Sequence, residues 1–159
     1  GNIIGGGDWA EDRLIPDAMR AFASDEVLKI RSPTSTRPWQ HVLDPLAGYL
    51  LLCERMWDDP EKFSGGWNFG PENHGIVTVE TVANLLAQCY EGNARWEPTN
   101  SENELYEANL LNLDISKAKT KLGWTPKWPL EKAVAKEEYE AAARLRDRIK
   151  QLEKKSTSQ

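Results

Sequence analysis

The chain begins with GNIIGGGDWAEDRLIP, in which a short apolar run leads into a glycine-rich loop and then into a helical pattern. Four glycines fall within the first seven residues, and such loops either approach phosphate groups or make turns with positive φ. A dinucleotide fingerprint needs the spacing G-x-G-x-x-G, which Gly5, Gly6 and Gly7 do not supply. The spacing disfavours a cofactor phosphate loop and leaves two interpretations open, a structural turn or a loop that contacts another ligand.

The apolar periodicity predicts an α/β chain of helices and short strands. Helices are expected over about 13–24, with Asp12 as its cap, over about 44–57, and after Thr78, whose hydroxyl can cap the third helix. A final helix is expected from Leu130 to about residue 155. The shorter predicted elements are the strands VLKIRS, GGWNFGPEN, ARWEP and NLLNLD, the extended arm TRPWQHV, and the helix SKAKTKLGW ending at Gly123. A dinucleotide-binding domain needs several βαβ units, so this chain cannot supply one alone.

Composition narrows the class of protein further. With 159 residues and a net charge of −5 at pH 7, we expect one domain plus a tail and no nucleic-acid partner. No apolar run is long enough to cross a membrane and no signal segment is evident, so we expect a cytoplasmic protein with no membrane partner. Cys53 and Cys89 are expected to be buried free thiols, and His41 and His74 lie too far apart to predict a metal site. Because the chain begins at Gly1, we expect a longer parent protein.

Five stretches carry a resemblance to a known family: GNIIGGGDWAEDRLIPDAMRAF, TRPWQHVLDPLAGYLLL, GGWNFGPEN, YEANLLNLDISKAKTKLGW and WPLEKAV. Over residues 1–134 they resemble the carboxyl-terminal portion of the CDP-glucose 4,6-dehydratases, a branch of the extended short-chain dehydrogenase/reductase family of NAD-dependent epimerases and dehydratases. RPWQHV resembles this branch, whereas dTDP-glucose dehydratases carry a more acidic pattern there. The resemblance implies the substrate-binding part of an α/β enzyme, with mostly helices and short strands, the Rossmann core largely absent, and a long C-terminal helix.

The resemblance also implies a lyase of deoxysugar biosynthesis. In that family NAD oxidises the sugar at C4, water is eliminated across C5 and C6, and the hydride returns at C6. Those steps use a glycine fingerprint and a Tyr-x-x-x-Lys pair, and none of the four tyrosines here has a lysine four residues later. We therefore expect no catalytic and no cofactor-binding residue in this chain. NAD is expected in the parent enzyme only, and the chain alone is expected to be inactive.

What remains resembles the part of the enzyme that binds the nucleotide sugar, CDP-glucose. Its diphosphate is best held by guanidinium groups and amide donors. By family position, the resemblance assigns four such residues to the substrate: Asn2, Arg13, Arg37 and Asn68. Each also has an ordinary structural interpretation, as a turn former or a solvated surface charge. The run 28–31 is a weaker candidate that could offer backbone contacts to the base.

The end of the chain departs from the family. After PLEKAVAK it continues as EEYEAAARLRDRIKQLEKK, which resembles the UVR motif, a short helical motif of bacterial excision-repair proteins. Residues 135–159 are therefore interpreted as a UVR-like helix that binds a partner, with a solvated final helix as the alternative. A chain without its Rossmann portion is also expected to expose apolar surface on the 13–24 and 44–57 helices, and to self-associate. The residues on the apolar face of the tail are Tyr139, Ala142, Leu145, Ile149 and Leu152.

Overall fold

The structure, a computed structural model, describes residues 2–99 and 110–134. The strands are β1 (Asn2–Ile4), β2 (Val27–Ile30), β3 (Thr36–His41), β4 (Ile76–Thr78) and β5 (Arg95–Pro98). The helices are α1 (Leu14–Ala23), α2 (Leu43–Asp58), α3 (Pro60–Phe63), α4 (Val79–Cys89) and α5 (Leu130–Val134). A 3₁₀ turn, Asn73–Gly75, precedes β4, and a π-helical segment, Ala118–Leu122, follows the gap in the described residues.

Two small sheets organise this α/β chain. In the first, β3 lies between β1, which runs parallel to it, and β4, which runs antiparallel. In the second, β2 and β5 pair in parallel. The stretch predicted as an extended arm, TRPWQHV, is thus the central strand of the larger sheet, which explains why nearly all of β3 is buried.

The buried apolar side chains form two clusters. The first packs α1, α4 and α5 around β2 and β3, with Phe22, Trp39 and Leu86 among its members. The second lies between α2 and the π-helical segment and includes Phe69 and Trp124. Burial of such residues is the main favourable term in folding, at about 25 cal/mol per Å² of apolar surface. The helical periodicity in the sequence predicted these buried faces because it marks the side of each helix that meets a neighbour.

Several predicted elements are confirmed. Helices 13–24 and 44–57 correspond to α1 and α2, and ARWEP contains β5. The Thr78 hydroxyl accepts a hydrogen bond from the Thr81 amide at 3.2 Å and so caps α4 as expected. Gly123 ends the small helix with φ of 69°, in the left-handed conformation that favours glycine.

Two predicted strands are wrong. GGWNFGPEN forms no strand, because the Phe69 carbonyl accepts a hydrogen bond from the Gln40 side chain at 2.9 Å and the segment ends in the 3₁₀ turn. In NLLNLD the described residues make a single bridge, between Leu110 and Thr36, where the described part resumes. The antiparallel partner of β3 is β4, a strand that the sequence did not predict.

The predictions for Asp12 and for the two cysteines need correction, whereas the predicted start of the final helix is confirmed. Asp12 does not cap α1: it has φ of 59°, Arg13 stands at the N-cap, and no side-chain cap bond forms. Cys53 is exposed and Cys89 only half-buried, because both lie on helix faces that no neighbouring element covers fully. The predicted final helix begins at Leu130 as expected, and its course beyond Val134 lies outside the described residues.

The expected exposure of apolar surface is confirmed for α2 and wrong for α1. On α2, Leu50 is 73% exposed and Trp57 is 89% exposed. The large apolar side chains of α1 are buried or half-buried, because α1 packs against α4 and β2. No helix among residues 2–99 and 110–134 is long and apolar enough to cross a membrane.

A buried carboxylate joins the start of α2 to the segment before α5. Asp44, in the first turn of α2, is 4% exposed. Its Oδ1 accepts a hydrogen bond from the Lys127 amide at 2.8 Å, and its Oδ2 accepts one from the Trp128 amide at 3.2 Å. Its carbonyl accepts a third from the Trp124 indole at 3.1 Å. These bonds fix the segment before α5 against the start of α2.

Replacing Asp44 with Ala should lower the free energy of unfolding by about 3 kcal/mol, because two charge-assisted hydrogen bonds are lost and two amides are left without their acceptor. Urea unfolding measures this loss. Asp44→Asn keeps one acceptor oxygen, so its free energy of unfolding should lie between those of wild type and Asp44→Ala. Asp58→Ala, at the exposed end of α2, is the matched control, and an equal loss in Asp44→Ala and this control would contradict the assigned role.

Gly48 should resist the substitution that normally improves a helix. Alanine in a helix interior stabilises by about 1 kcal/mol relative to glycine. Here, however, a Cβ would lie 2.3 Å from Cδ1 of Phe69, and Phe69 cannot retreat because Tyr49 and Trp124 pack on its ring edge-on. Gly48→Ala should therefore lose about 1 kcal/mol or more in urea unfolding. Gly66→Ala, with open space around it, should be nearly neutral, and a stabilised Gly48→Ala would refute the close packing.

Candidate functional site

A cavity of about 860 Å³ opens beside the first cluster. Its walls come from β1, the loop over residues 5–13, α1, β2 and β3. Three of the four residues assigned to the substrate line it, namely Asn2, Arg13 and Arg37. They come from three separate segments of the chain, so only the tertiary fold brings them together.

The pairing of β1 with β3 places Asn2 and Arg37 in one wall. Asn2 lies opposite Trp39 in the parallel register, and Arg37 lies two residues before Trp39 on the same strand. Arg37 is 7% exposed, and its Nη1 donates to the Thr36 carbonyl at 2.9 Å. A guanidinium is seldom buried unless its donors are satisfied. Arg37 is thus a fixed cation in the wall.

Arg13 lies at the end of the loop over residues 5–13, at the N-cap of α1. Asp12 adopts a left-handed conformation, with φ of 59°, which turns the chain before the helix. Asp is one of the few residues that tolerate that region. Arg13 itself has extended backbone and a side chain that is 61% exposed. Its Nη1 lies 3.7 Å from Oδ2 of Asp8.

The glycines of the loop serve the chain itself. A Cβ on Gly5 would lie 2.6 Å from Cγ1 of Val42, and the Val42 amide donates to the Ile4 carbonyl at 2.8 Å. Gly7 makes a turn with φ of 80°. Gly5 is therefore required for close packing against Val42. The packing of Gly5 and the turn at Gly7 fit the structural interpretation. Both glycines also line the cavity, so contact of this loop with another ligand stays a prediction.

A second constraint holds the other end of the loop. Arg20 of α1 donates to the Trp9 carbonyl at 3.0 Å and to the Ala10 carbonyl at 3.2 Å. The same guanidinium pairs with Asp17. One arginine thus ties the loop to the helix that follows it.

Asn68 does not line the cavity with the other three assigned residues. Its side-chain amide donates to the Asp114 carbonyl at 3.2 Å, beside the second cluster. The pKa of Asp114 lies below its ordinary value because the side chain and the backbone amide of Ser116 hydrogen-bond to its carboxylate. Asn68 therefore ties its own segment to the backbone at Asp114, 46 residues later in sequence.

The structure adds charged residues to the cavity that the sequence did not assign. The run 28–31 was expected to offer backbone contacts, and all four of its residues line the cavity, Lys29 and Arg31 among them. Lys29 also pairs with Glu97 of β5. The alternation in β2, where Leu28 and Ile30 are buried and Lys29 is exposed, was the sequence signal that this segment is a strand with one buried face. The acidic lining residues, also unassigned, are Asp8, Asp12, Asp17 and Glu91.

The cavity therefore contains four basic and four acidic residues. Such a mixed lining can bind an anionic ligand only where the basic side chains lie closer to the ligand than the carboxylates do. Among residues 2–99 and 110–134, no group of three or more histidines, cysteines and carboxylates could hold a metal ion.

Comparison with curated proteins gives one clear relative. The chain is 46% identical over 136 residues to a CDP-glucose 4,6-dehydratase of Salmonella typhimurium, and this covers 86% of the chain. The chain resembles part of a CDP-glucose 4,6-dehydratase. The motifs predicted this resemblance, which is confirmed. The chain spans only 38% of the length of that dehydratase.

Solved structures share the fold at lower identity. A UDP-glucuronic acid 4-epimerase from Bacillus cereus, in complex with UDP-glucuronic acid and NAD, matches with a TM-score of 0.71 and 20% identity over 91% of this chain and 43% of that one. RMD from Pseudomonas aeruginosa, complexed with NADPH, matches with a TM-score of 0.66 and 18% identity over 84% of this chain and 43% of that one. These structures establish the α/β fold of the dehydratase-like region.

The end of the chain matches a different family. Residues 130–155 match the family model described as the UvrB/uvrC motif, UVR. The match begins in α5, where Leu130, Ala133 and Val134 are buried in the first cluster. The resemblance of the tail to a UVR motif is thus confirmed. The boundary assigned between residues 134 and 135 stays a prediction.

Proposed function

We propose that this chain is the substrate-binding, carboxyl-terminal portion of an NAD-dependent CDP-glucose 4,6-dehydratase, a lyase of deoxysugar biosynthesis in the cytoplasm. One observation supports it above the others: Asn2, Arg13 and Arg37 converge from three segments on one cavity of about 860 Å³. Drug-sized and nucleotide-sized ligands occupy cavities of about 300–1,000 Å³. The volume therefore suits a nucleotide sugar.

The diphosphate of CDP-glucose is the group that these residues suit. Arg13 and Arg37 offer two guanidinium groups, and Asn2 adds an amide donor. Guanidinium groups bind phosphate oxygens through paired, charge-assisted hydrogen bonds. The relatives of known structure include an epimerase in complex with UDP-glucuronic acid, which supports a nucleotide sugar as the ligand class. Asn68 does not line this cavity, and its side-chain amide donates to the Asp114 carbonyl.

The redox step belongs to the parent enzyme. NAD would supply hydride transfer there, and the glycine loop of this chain does not fit its pyrophosphate. The residues described here would bind and orient the sugar nucleotide and would exclude water from one side of it. We expect no turnover of CDP-glucose by this chain alone, because no tyrosine stands four residues before a lysine.

The exposed face of α2 is the proposed contact with the missing Rossmann portion. Leu43, Leu46, Leu50 and Trp57 recur at helical spacing and are all exposed. Contiguous apolar surface of this kind marks an interaction site. The dehydratase relative is more than twice as long as the matched region, and its remaining portion is the occupant that we propose.

Calorimetric titration with CDP-glucose at low salt tests the site. Wild type should bind weakly, and Arg13→Ala and Arg37→Ala should each weaken binding about tenfold, since each loses charge-assisted bonds to the diphosphate. Arg55→Ala, an exposed substitution on α2, is the control for net charge. Circular dichroism checks that Arg37→Ala still folds. Equal heats from wild type and Arg13→Ala would remove Arg13 from the site, and UDP-glucose in place of CDP-glucose tests the base preference.

A second function, a protein-interaction module, is supported by the UVR match over residues 130–155. The tail sequence places apolar residues at helical spacing with charged residues between them, a pattern that predicts a helix able to pair with another helix. This module would act whether or not the cavity binds a nucleotide sugar.

Sedimentation velocity separates the tail from the α2 face as the source of association. If the tail pairs helices, deletion of residues 135–159 should convert oligomers of the full chain to monomers. If association occurs through the α2 face, Leu50→Asp should instead convert the oligomers to monomers, because it places a charge on that face. Leu50 is 73% exposed, so this substitution should leave folding intact. Association unchanged by the deletion would leave the tail as a surface helix.

A further inference from the structure

We propose that Asp8 is an internal competitor for the guanidinium of Arg13, so that an anionic ligand must displace the Asp8 carboxylate in order to bind. Asp8 would thereby weaken the binding of every phosphate-bearing ligand and set the affinity of the cavity for its substrate. This inference rests on the proposed function, because it concerns the same cavity. It assigns a role to an acidic residue that the family resemblance did not.

The geometry of Asp8 supports this role. Its Oδ1 accepts a hydrogen bond from the Ala10 amide at 3.1 Å, which orients the carboxylate within its own loop. Its Oδ2 then lies 3.7 Å from Nη1 of Arg13. Both side chains line the cavity. The carboxylate thus occupies one side of Arg13 where a phosphate oxygen would otherwise bind.

The backbone of the loop is held on both sides of Asp8. On one side of Asp8, Gly5 packs so closely on Val42 that a Cβ would lie 2.6 Å from it. On the other side, Arg20 donates to the Trp9 and Ala10 carbonyls. Asp8 lies between these two constraints, so its carboxylate stays within reach of Arg13.

The exposure of the pair keeps the competition reversible. The Arg13 side chain is 61% exposed and that of Asp8 is 37% exposed. Solvent and salt screen such pairs, and each is worth little on its own. A diphosphate, with more charge and more acceptor oxygens than one carboxylate, can therefore exchange with Asp8, whereas a neutral ligand gains nothing from doing so.

Titration of the full chain with CDP tests the inference, with Asp8→Asn compared against wild type and against Asp58→Asn. The control removes the same charge from the exposed end of α2, away from the cavity lining. Asp8→Asn should bind CDP about two- to fivefold more tightly, the range expected for an exposed ion pair, and Asp58→Asn should match wild type. The gain should shrink at high salt and should be absent with cytidine, which carries no phosphate.

A double-mutant cycle identifies Arg13 as the group through which Asp8 acts. In the Arg13→Gln background, Asp8→Asn should give no gain in CDP affinity. A gain that persists there, or equal affinities of Asp8→Asn and Asp58→Asn, would overturn the role of Asp8 alone. If wild type and Asp8→Asn both fail to bind CDP, the proposed function and this inference fall together.

Discussion

The fold of the described chain depends on the buried carboxylate of Asp44. The carboxylate accepts hydrogen bonds from the backbone amides of Lys127 and Trp128, and the backbone carbonyl of Asp44 accepts one from the Trp124 indole. These three bonds fasten the segment before α5 to the start of α2, 80 to 84 residues earlier in sequence. Trp128 also stacks on the imidazole of His41, with ring centroids 4.5 Å apart. Because β3 ends at His41 and α2 begins two residues later, the same contact sets the sheet, the long helix and α5 relative to one another.

That arrangement also builds the cavity. With β3 fixed at its carboxyl end, β1 pairs alongside it and brings Asn2 into the wall that contains Arg37. The loop after β1 is then held by packing at Gly5 and by the hydrogen bonds of Arg20, so that Arg13 and Asp8 face the same space. The electrostatics of the cavity follow from the backbone path of one loop. In the proposed site, an anionic ligand would compete with the Asp8 carboxylate for the Arg13 guanidinium.

The agreement between sequence and structure has a physical pattern. Helical periodicity identified α1, α2 and α4, because a buried helix face repeats within a few residues and needs no distant partner to be recognised. The strands were harder, because short strands depend on partners remote in sequence. GGWNFGPEN has the composition of a strand, yet its Phe69 carbonyl bonds to the Gln40 side chain. In the cavity, Arg13 and Arg37 were assigned through family position, whereas Asp8 was not assigned because no known pattern places an acid beside a proposed phosphate site.

The sequence by itself determined the helices α1, α2 and α4, the cap at Thr78, the turn at Gly123, and the resemblance to part of a CDP-glucose 4,6-dehydratase with a UVR-like end. These features depend on local propensity and on motifs whose residues lie close together in the sequence. Only the tertiary structure decided which assigned residues meet. It grouped Asn2, Arg13 and Arg37 and placed Asn68 elsewhere, at a 3.2 Å bond to the Asp114 carbonyl. It also showed that the opening glycines pack and turn the chain itself. Convergence of residues from separate segments depends on strand register and loop constraints, which no local pattern encodes.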